Sequence, residues 1–256
     1  MYDCKKKIII KKIYIYIYIY IYMEDNNFKS QQNEDRILYE EIFSKIVIKN
    51  PTYLEMGAMN GIDYSNTYFF EHCLNWKGIL IEPHPYNYKN LVKNRPNNYL
   101  YNNLVSNAKE SQEFMYYDTF TLSAVSGIIN TLPEQNIKTY FENDNTWQNS
   151  MREKYLKKEL IIPKTLTEIV KDSQIEKIDF FSLDVEGHEY SVLESYDWKV
   201  PINTFLIENN QDTGKVHNLL KEKGYIYIKN IGCNSFFIHK DFIREHEYLR
   251  TLLNMS

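Results

Sequence analysis

The stretch Phe181-Ser182-Leu183-Asp184-Val185-Glu186-Gly187-His188-Glu189 sets three carboxylates and an imidazole within six residues, directly after the apolar run Ile178-Asp179-Phe180-Phe181. Asp184 falls at the end of what reads as a buried strand, Glu186 follows two residues on, and Gly187 permits a turn into the next helix. That spacing aims Asp184 and Glu186 at one pocket. A buried acid needs a counter-charge, which a sulfonium, an amine or a metal ion supplies. The competing reading gives Glu186 and Glu189 to the positive end of the following helix. His188 has the ordinary pKa of a general base; the alternative is a capping or solvated residue at the helix start.

Two further acids stand at strand ends. Leu54-Glu55-Met56-Gly57-Ala58-Met59-Asn60-Gly61 places Glu55 inside a strand ahead of Gly57 and Gly61, glycines that let the backbone turn sharply and approach a ligand. The spacing is not Gly-x-Gly-x-x-Gly, so it lacks the middle glycine of a pyrophosphate cradle, and an ordinary tight turn is the alternative. Ile79-Leu80-Ile81-Glu82-Pro83 ends the next strand in a carboxylate placed to accept from a ribose diol. A cofactor with a ribose and no pyrophosphate, S-adenosylmethionine, fits both features, and its cationic groups favour nearby carboxylates.

The elements that must position these residues alternate. Strands are expected at 52–56, 78–81, 99–105, 112–117, 160–162, 178–183 and 203–207, with helices at 64–73, 86–93, 165–171, 189–196 and 215–223. This rhythm predicts an α/β fold with a mostly parallel, doubly wound sheet. The closing pair Tyr225–Lys229 and Ser235–His239 around Gly232 predicts an antiparallel C-terminal strand inserted into it. Residues 118–153 break the rhythm and read as an inserted loop or lid. Residues 1–32 read as a low-complexity tail, expected to be disordered, and 33–256 as a single domain. The run Ile13–Tyr22, five Ile-Tyr pairs, matches an alternating AT tract translated in frame, with Met23 a second possible start. It is too short for a membrane span, and no cleavage site marks a signal peptide.

A formal charge of -4 and a pI of about 5.9 give no overall pull toward nucleic acid or an anionic membrane. Three cysteines without paired spacing suit a reducing compartment, and the cytoplasm is the expected location.

With these residues in place, the sequence resembles the FkbM-type methyltransferase family from about Tyr53 to Ile238. Four motifs in order carry the resemblance. They are Leu54–Gly61 with Tyr64-Ser65-Asn66-Thr67, Trp76–Pro85, Asn94-Arg95-Pro96 and Ile178–Glu189. The resemblance implies a Rossmann-like class I methyltransferase that uses S-adenosylmethionine, usually to methylate a hydroxyl of a sugar, polyketide or related metabolite. It implies Glu55, Gly57, Ala58 and Gly61 around the methionine end of the cofactor, with Asn66 also touching it. Glu82 and Pro83 would lie at the ribose, Asn103 or Ser106 near the adenine, and Asp184 with Glu186 beside the methyl. Met59 stands where many relatives carry a small or acidic residue. Residues 118–153 match only faintly, so the acceptor does not transfer, and the tail matches nothing in the family.

The chemistry expected is in-line displacement by an acceptor hydroxyl, with His188 or Asp184 as base. A small-molecule or glycan acceptor is expected, without nucleic acid or membrane. A divalent ion held by Asp184 and Glu186 is a rival that is not favoured. RNA 2′-hydroxyl methylation would need more than the modest cluster of Lys154, Lys157, Lys158 and Lys164. A non-catalytic binding or trafficking module that keeps the fold is the alternative from another class.

Overall fold

The computed structural model describes residues 27–143, 145–208 and 213–254. The Ile-Tyr run and the rest of 1–26 lie outside the described residues.

The central sheet has seven strands in the order β3-β2-β1-β7-β8-β10-β9. They are β1 Thr52–Met56, β2 Lys77–Ile81, β3 Tyr99–Tyr101, β7 Phe180–Leu183, β8 Thr204–Glu208, β9 Tyr225–Ile231 and β10 Asn234–His239. Strands β3, β2, β1, β7 and β8 pair in parallel, and β10 runs antiparallel between β8 and β9. The doubly wound sheet and its inserted antiparallel strand are therefore as the alternation predicted.

Side chains alternate across each strand, and the two faces carry separate cores. Leu54, Met56, Ile79, Phe181, Leu183 and Phe205 pack with α5 Leu166–Ser173, α6 Glu189–Glu194 and α7 Thr213–Glu222. Tyr53, Leu80, Phe180, Leu206 and Phe236 pack with α1 Glu34–Glu41, α2 Tyr68–Leu74 and α3 Pro85–Asn94, and with α8 Lys240–Glu245 and α9 Glu247–Leu252.

Four expectations change. Gln112–Tyr117 (β4) and Leu156–Ile161 (β6) do not join the parallel sheet; with Gly127–Ile128 (β5) they form a separate antiparallel sheet in the order β5-β4-β6. Strand β4 is buried along Phe114–Tyr117, on both of its faces, which is why it reads like a central parallel strand. The insertion is therefore longer than 118–153. It leaves the domain after Val105 and returns at Lys164, which bridge in parallel; Ser106 N–H donates to the Lys164 carbonyl (3.0 Å) and Lys164 N–H to that of Leu104 (3.0 Å). The fourth numbered helix, α4 Thr146–Tyr155, lies within it.

Helix α2 begins at Tyr68 rather than Tyr64, because Tyr64 has a left-handed φ of 63° and residues 65–67 are bound elsewhere. Residues 27–32, given to the tail from sequence, pack on the domain: Phe28 stacks on Phe69 (4.1 Å between ring centroids), and Asp35 accepts from Lys29 N–H (2.7 Å) and the Ser30 hydroxyl (2.6 Å).

Candidate active site

Between β1 and β7 the chain order reverses, and the crevice at the carboxyl ends of these strands is where an open α/β sheet binds ligands. A cavity of about 420 Å³ opens there. Its sheet side is built by Gly57 after β1, Glu82 and Pro83 after β2, Asp184 and Glu186 after β7, and Glu208 ending β8. The insertion closes the opposite side with Phe114, residues 123–128, Asn136 and Tyr140, and Gln31 comes from the N-terminal segment.

Gly57 has φ +79°, and a Cβ there would stand 2.0 Å from the Asp184 carbonyl oxygen, so the β1 and β7 ends meet only because this residue has no side chain. Glu82 is held rigidly, one carboxylate oxygen accepting from Met59 N–H (2.7 Å) and the other from His84 N–H (2.7 Å). Each oxygen keeps a further lone pair for a ligand hydroxyl. Burial pushes the Glu82 carboxyl up to about 7; the two N–H bonds oppose the shift and the Asp184 charge adds to it.

Asp184 meets solvent through the cavity mouth while protein encloses its other sides, and this enclosure raises its pKa. Glu208 is raised to about 10, by burial and then by the Asp184 charge, so it keeps its proton at pH 7 and donates to Asp184. Glu34, buried, adds its field to Asp184 and accepts from Asn234 Nδ2 (3.0 Å). Glu186 takes a left-handed φ of 55° and accepts from Asn136 Nδ2 (2.8 Å). Burial, then the Asp184 and Glu189 charges, push it up to about 8.

His188 is 7% exposed, and burial lowers it to about 4, which keeps the imidazole neutral at pH 7. Its Nδ1 lies 3.2 Å from Thr131 Oγ1, and its Nε2 has no hydrogen-bond partner in the protein. Glu189 folds back under its own turn and accepts from Val185 N–H (3.2 Å) and Gly187 N–H (3.1 Å); burial raises it to about 7.

Of the residues singled out from sequence, Gly57, Glu82, Pro83, Asn103, Asp184, Glu186 and His188 line this cavity. Glu55, Ala58, Gly61, Asn66 and Ser106 stand outside its wall. Period-two alternation puts Glu55 on the Tyr53 face of β1, where its carboxylate accepts from the Ser65 and Thr67 hydroxyls (both 2.7 Å) and from Asn66 N–H (2.7 Å). It holds the loop ahead of α2. Asn66 spends its amide on Ser182 Oγ (2.9 Å), while its Oδ1 is buried without a partner. Ala58 is core, and Gly61 lies beneath Leu91 and Arg95 and gives its carbonyl to Arg95 Nη1 (2.8 Å). Ser106 is a turn residue, its hydroxyl accepting from Ala108 N–H (3.1 Å).

Among the residues not singled out, Glu208, Asn136 and Gln31 line the cavity and Thr131 touches His188. Glu208 carries the same signal as Glu82, an acid ending a buried apolar strand. Asn136, Thr131 and Gln31 lie in segments without periodicity and carry none. Arg95, quoted only within a motif, is 2% exposed and binds the Tyr53 hydroxyl (2.7 Å), Thr67 Oγ1 (3.1 Å) and the Glu71 carboxylate, so it locks the loop that Glu55 holds from below.

Among the described residues, no group of three or more His, Cys, Asp or Glu side chains is placed to hold a metal ion. No helix among them is long and apolar enough to cross a membrane. No curated protein and no solved structure matches the chain significantly. The family model described as the methyltransferase FkbM domain matches residues 55–227, which take in the end of β1, the Glu82 strand end, the insertion and the acidic turn after β7. The chain thus belongs to the FkbM methyltransferase family.

Proposed function

We propose that this methyltransferase uses S-adenosylmethionine to methylate a hydroxyl oxygen of a sugar, glycan or other small metabolite. One observation carries the reading: a single cavity combines a carboxylate-rich wall with a neutral imidazole whose Nε2 is buried without a protein partner. The wall suits a ligand that is cationic at one end and a diol at the other. Glu82 retains lone pairs for the diol, and ionised Asp184, with Glu186, answers the positive charge. Bound there, the cofactor would supply a methyl group on a sulfonium that leaves as a neutral thioether.

The chain's own work is positional and acid-base. The insertion covers the cavity and limits water, which strengthens every charge inside it. His188 Nε2 takes the acceptor's hydroxyl proton as the new oxygen–carbon bond forms, a contribution on the order of 100- to 10,000-fold. Glu208, raised to about 10, holds the proton it shares with Asp184. The free thiols of Cys73 and Cys233 support a reducing compartment, the cytoplasm.

Thermal unfolding with S-adenosylmethionine tests the reading. Ligand at 100 times its dissociation constant should add about 2.7 kcal/mol, and an unchanged midpoint would overturn the cofactor assignment. Transfer of labelled methyl to a glycan extract and not to RNA identifies the acceptor class. Binding without transfer to either would favour a non-catalytic module.

A further inference from the structure

Thr131 belongs to the insertion, away from every motif quoted above, yet it sits directly on the acidic turn. Its carbonyl oxygen would come within 2.5 Å of a Cβ on Gly187, so backbone meets backbone there. Its hydroxyl lies 3.2 Å from His188 Nδ1 and 3.2 Å from the Ile128 carbonyl oxygen, three residues back. A carbonyl only accepts, so the hydroxyl proton goes to Ile128, and Thr131 Oγ1 is left to accept from Nδ1–H. The opposite arrangement would put the proton on Nε2, a buried donor without a partner. Orphaned buried N–H groups are rarer than under-used acceptors, which favours the first arrangement.

We propose that Thr131 is a positioning residue that holds His188 in its Nδ1–H tautomer and so keeps the buried Nε2 a bare lone pair rather than an orphaned donor. Its catalytic purpose rests on the reading of His188 as base. As the acceptor's O–H bond breaks, its proton joins Nε2 and its electron pair forms the bond to the methyl carbon. The imidazolium so formed keeps its Nδ1–H on Thr131. The insertion therefore fixes the protonation pattern of a residue contributed by the parallel sheet.

The test needs no acceptor. In the full chain labelled with ¹⁵N-histidine, long-range ¹H–¹⁵N correlation distinguishes the two tautomers, and the signals missing from H188N belong to His188. At neutral pH His188 should show a protonated Nδ1 and a bare Nε2. T131V should move population to Nε2–H, and T131S should restore the wild-type pattern. A wild-type His188 protonated on Nε2, or a T131V spectrum identical to wild type, would overturn the proposal. If T131V does not fold, the wild-type and T131S spectra still decide the tautomer. Once an acceptor is in hand, T131V should lower kcat on the order of 10-fold with KM unchanged, inside the range a general base supplies. Wild-type turnover by H188N, with the tautomer as stated, would overturn the catalytic purpose while leaving the cofactor reading intact.

Discussion

Asp184 is the residue on which the two halves of the cavity depend. It accepts from protonated Glu208, and its charge adds to the burial that raises both Glu82 and Glu186. Replacing it with Asn keeps an oxygen that accepts from Glu208 and removes the charge. D184N should unfold at nearly the wild-type temperature while methyl transfer falls below detection; full turnover would remove Asp184 from the mechanism. Arg95 behaves differently because it stands outside the lining of this cavity. R95M should leave Glu55 and Glu71 short of their counter-charge and cost about 3–5 kcal/mol. That loss is read as a lower urea midpoint at constant slope. At this scale the sequence was informative about position and less so about direction. Acids at the ends of buried runs, Glu82 and Asp184, were legible because a strand end in this architecture opens on the crevice. Glu55 is one residue short of its strand end, and alternation turns it toward the buried loop.

The elements divide into those with periodicity and those without. Nearly every strand and helix of the parallel sheet was readable from apolar spacing, and the antiparallel β10 from the closing pair of strands. The insertion was not, since β4 is buried on both faces and β6 pairs with it from 39 or more residues away. The segment 27–35 lacks a pattern too, and its order comes from tertiary contacts: Phe28 on Phe69, the Asp35 carboxylate gathering Lys29 and Ser30, and Gln31 reaching the cavity. F28A should therefore cost about 2 kcal/mol, below the loss of a fully buried ring, and lower the thermal midpoint by several degrees. A midpoint unchanged within a degree would mean that this segment adds nothing to stability.

For the molecule as a whole, the acidic cavity sets how stability responds to pH. Glu82 and Glu189 titrate near 7 and Glu186 near 8 in the folded chain, far above the ordinary carboxylate value of 4.5. Each binds its proton more tightly folded than unfolded, so the stability it contributes is present at low pH and is lost as pH rises through its folded value. His188, lowered from 6.5 to about 4, acts in the opposite direction, but only between those values. From about pH 6.5 to 8 these three carboxyls, together with Glu208, which the fold raises to about 10, decide the slope, and the thermal midpoint should fall. A cationic ligand that favours the ionised carboxylates should reverse part of that fall, giving a larger ligand-induced shift at pH 8 than at pH 6.5. Equal shifts at both would argue against the carboxylates as its counter-charge.

The parallel bridge between Val105 and Lys164 means that the polypeptide leaves the sheet domain and re-enters it at one doorway. Everything that faces the cavity from outside the sheet between those residues, from Phe114 to Tyr140, arrives on a single detour. In evolutionary terms such a detour is a cassette. Its contents can be exchanged or resized at the cost of closing one loop, a cost that grows only slowly with length. The strand ends that carry Glu82 and Asp184 keep their neighbours throughout, so acceptor preference is free to diversify on one side of the cavity while the other keeps its chemistry.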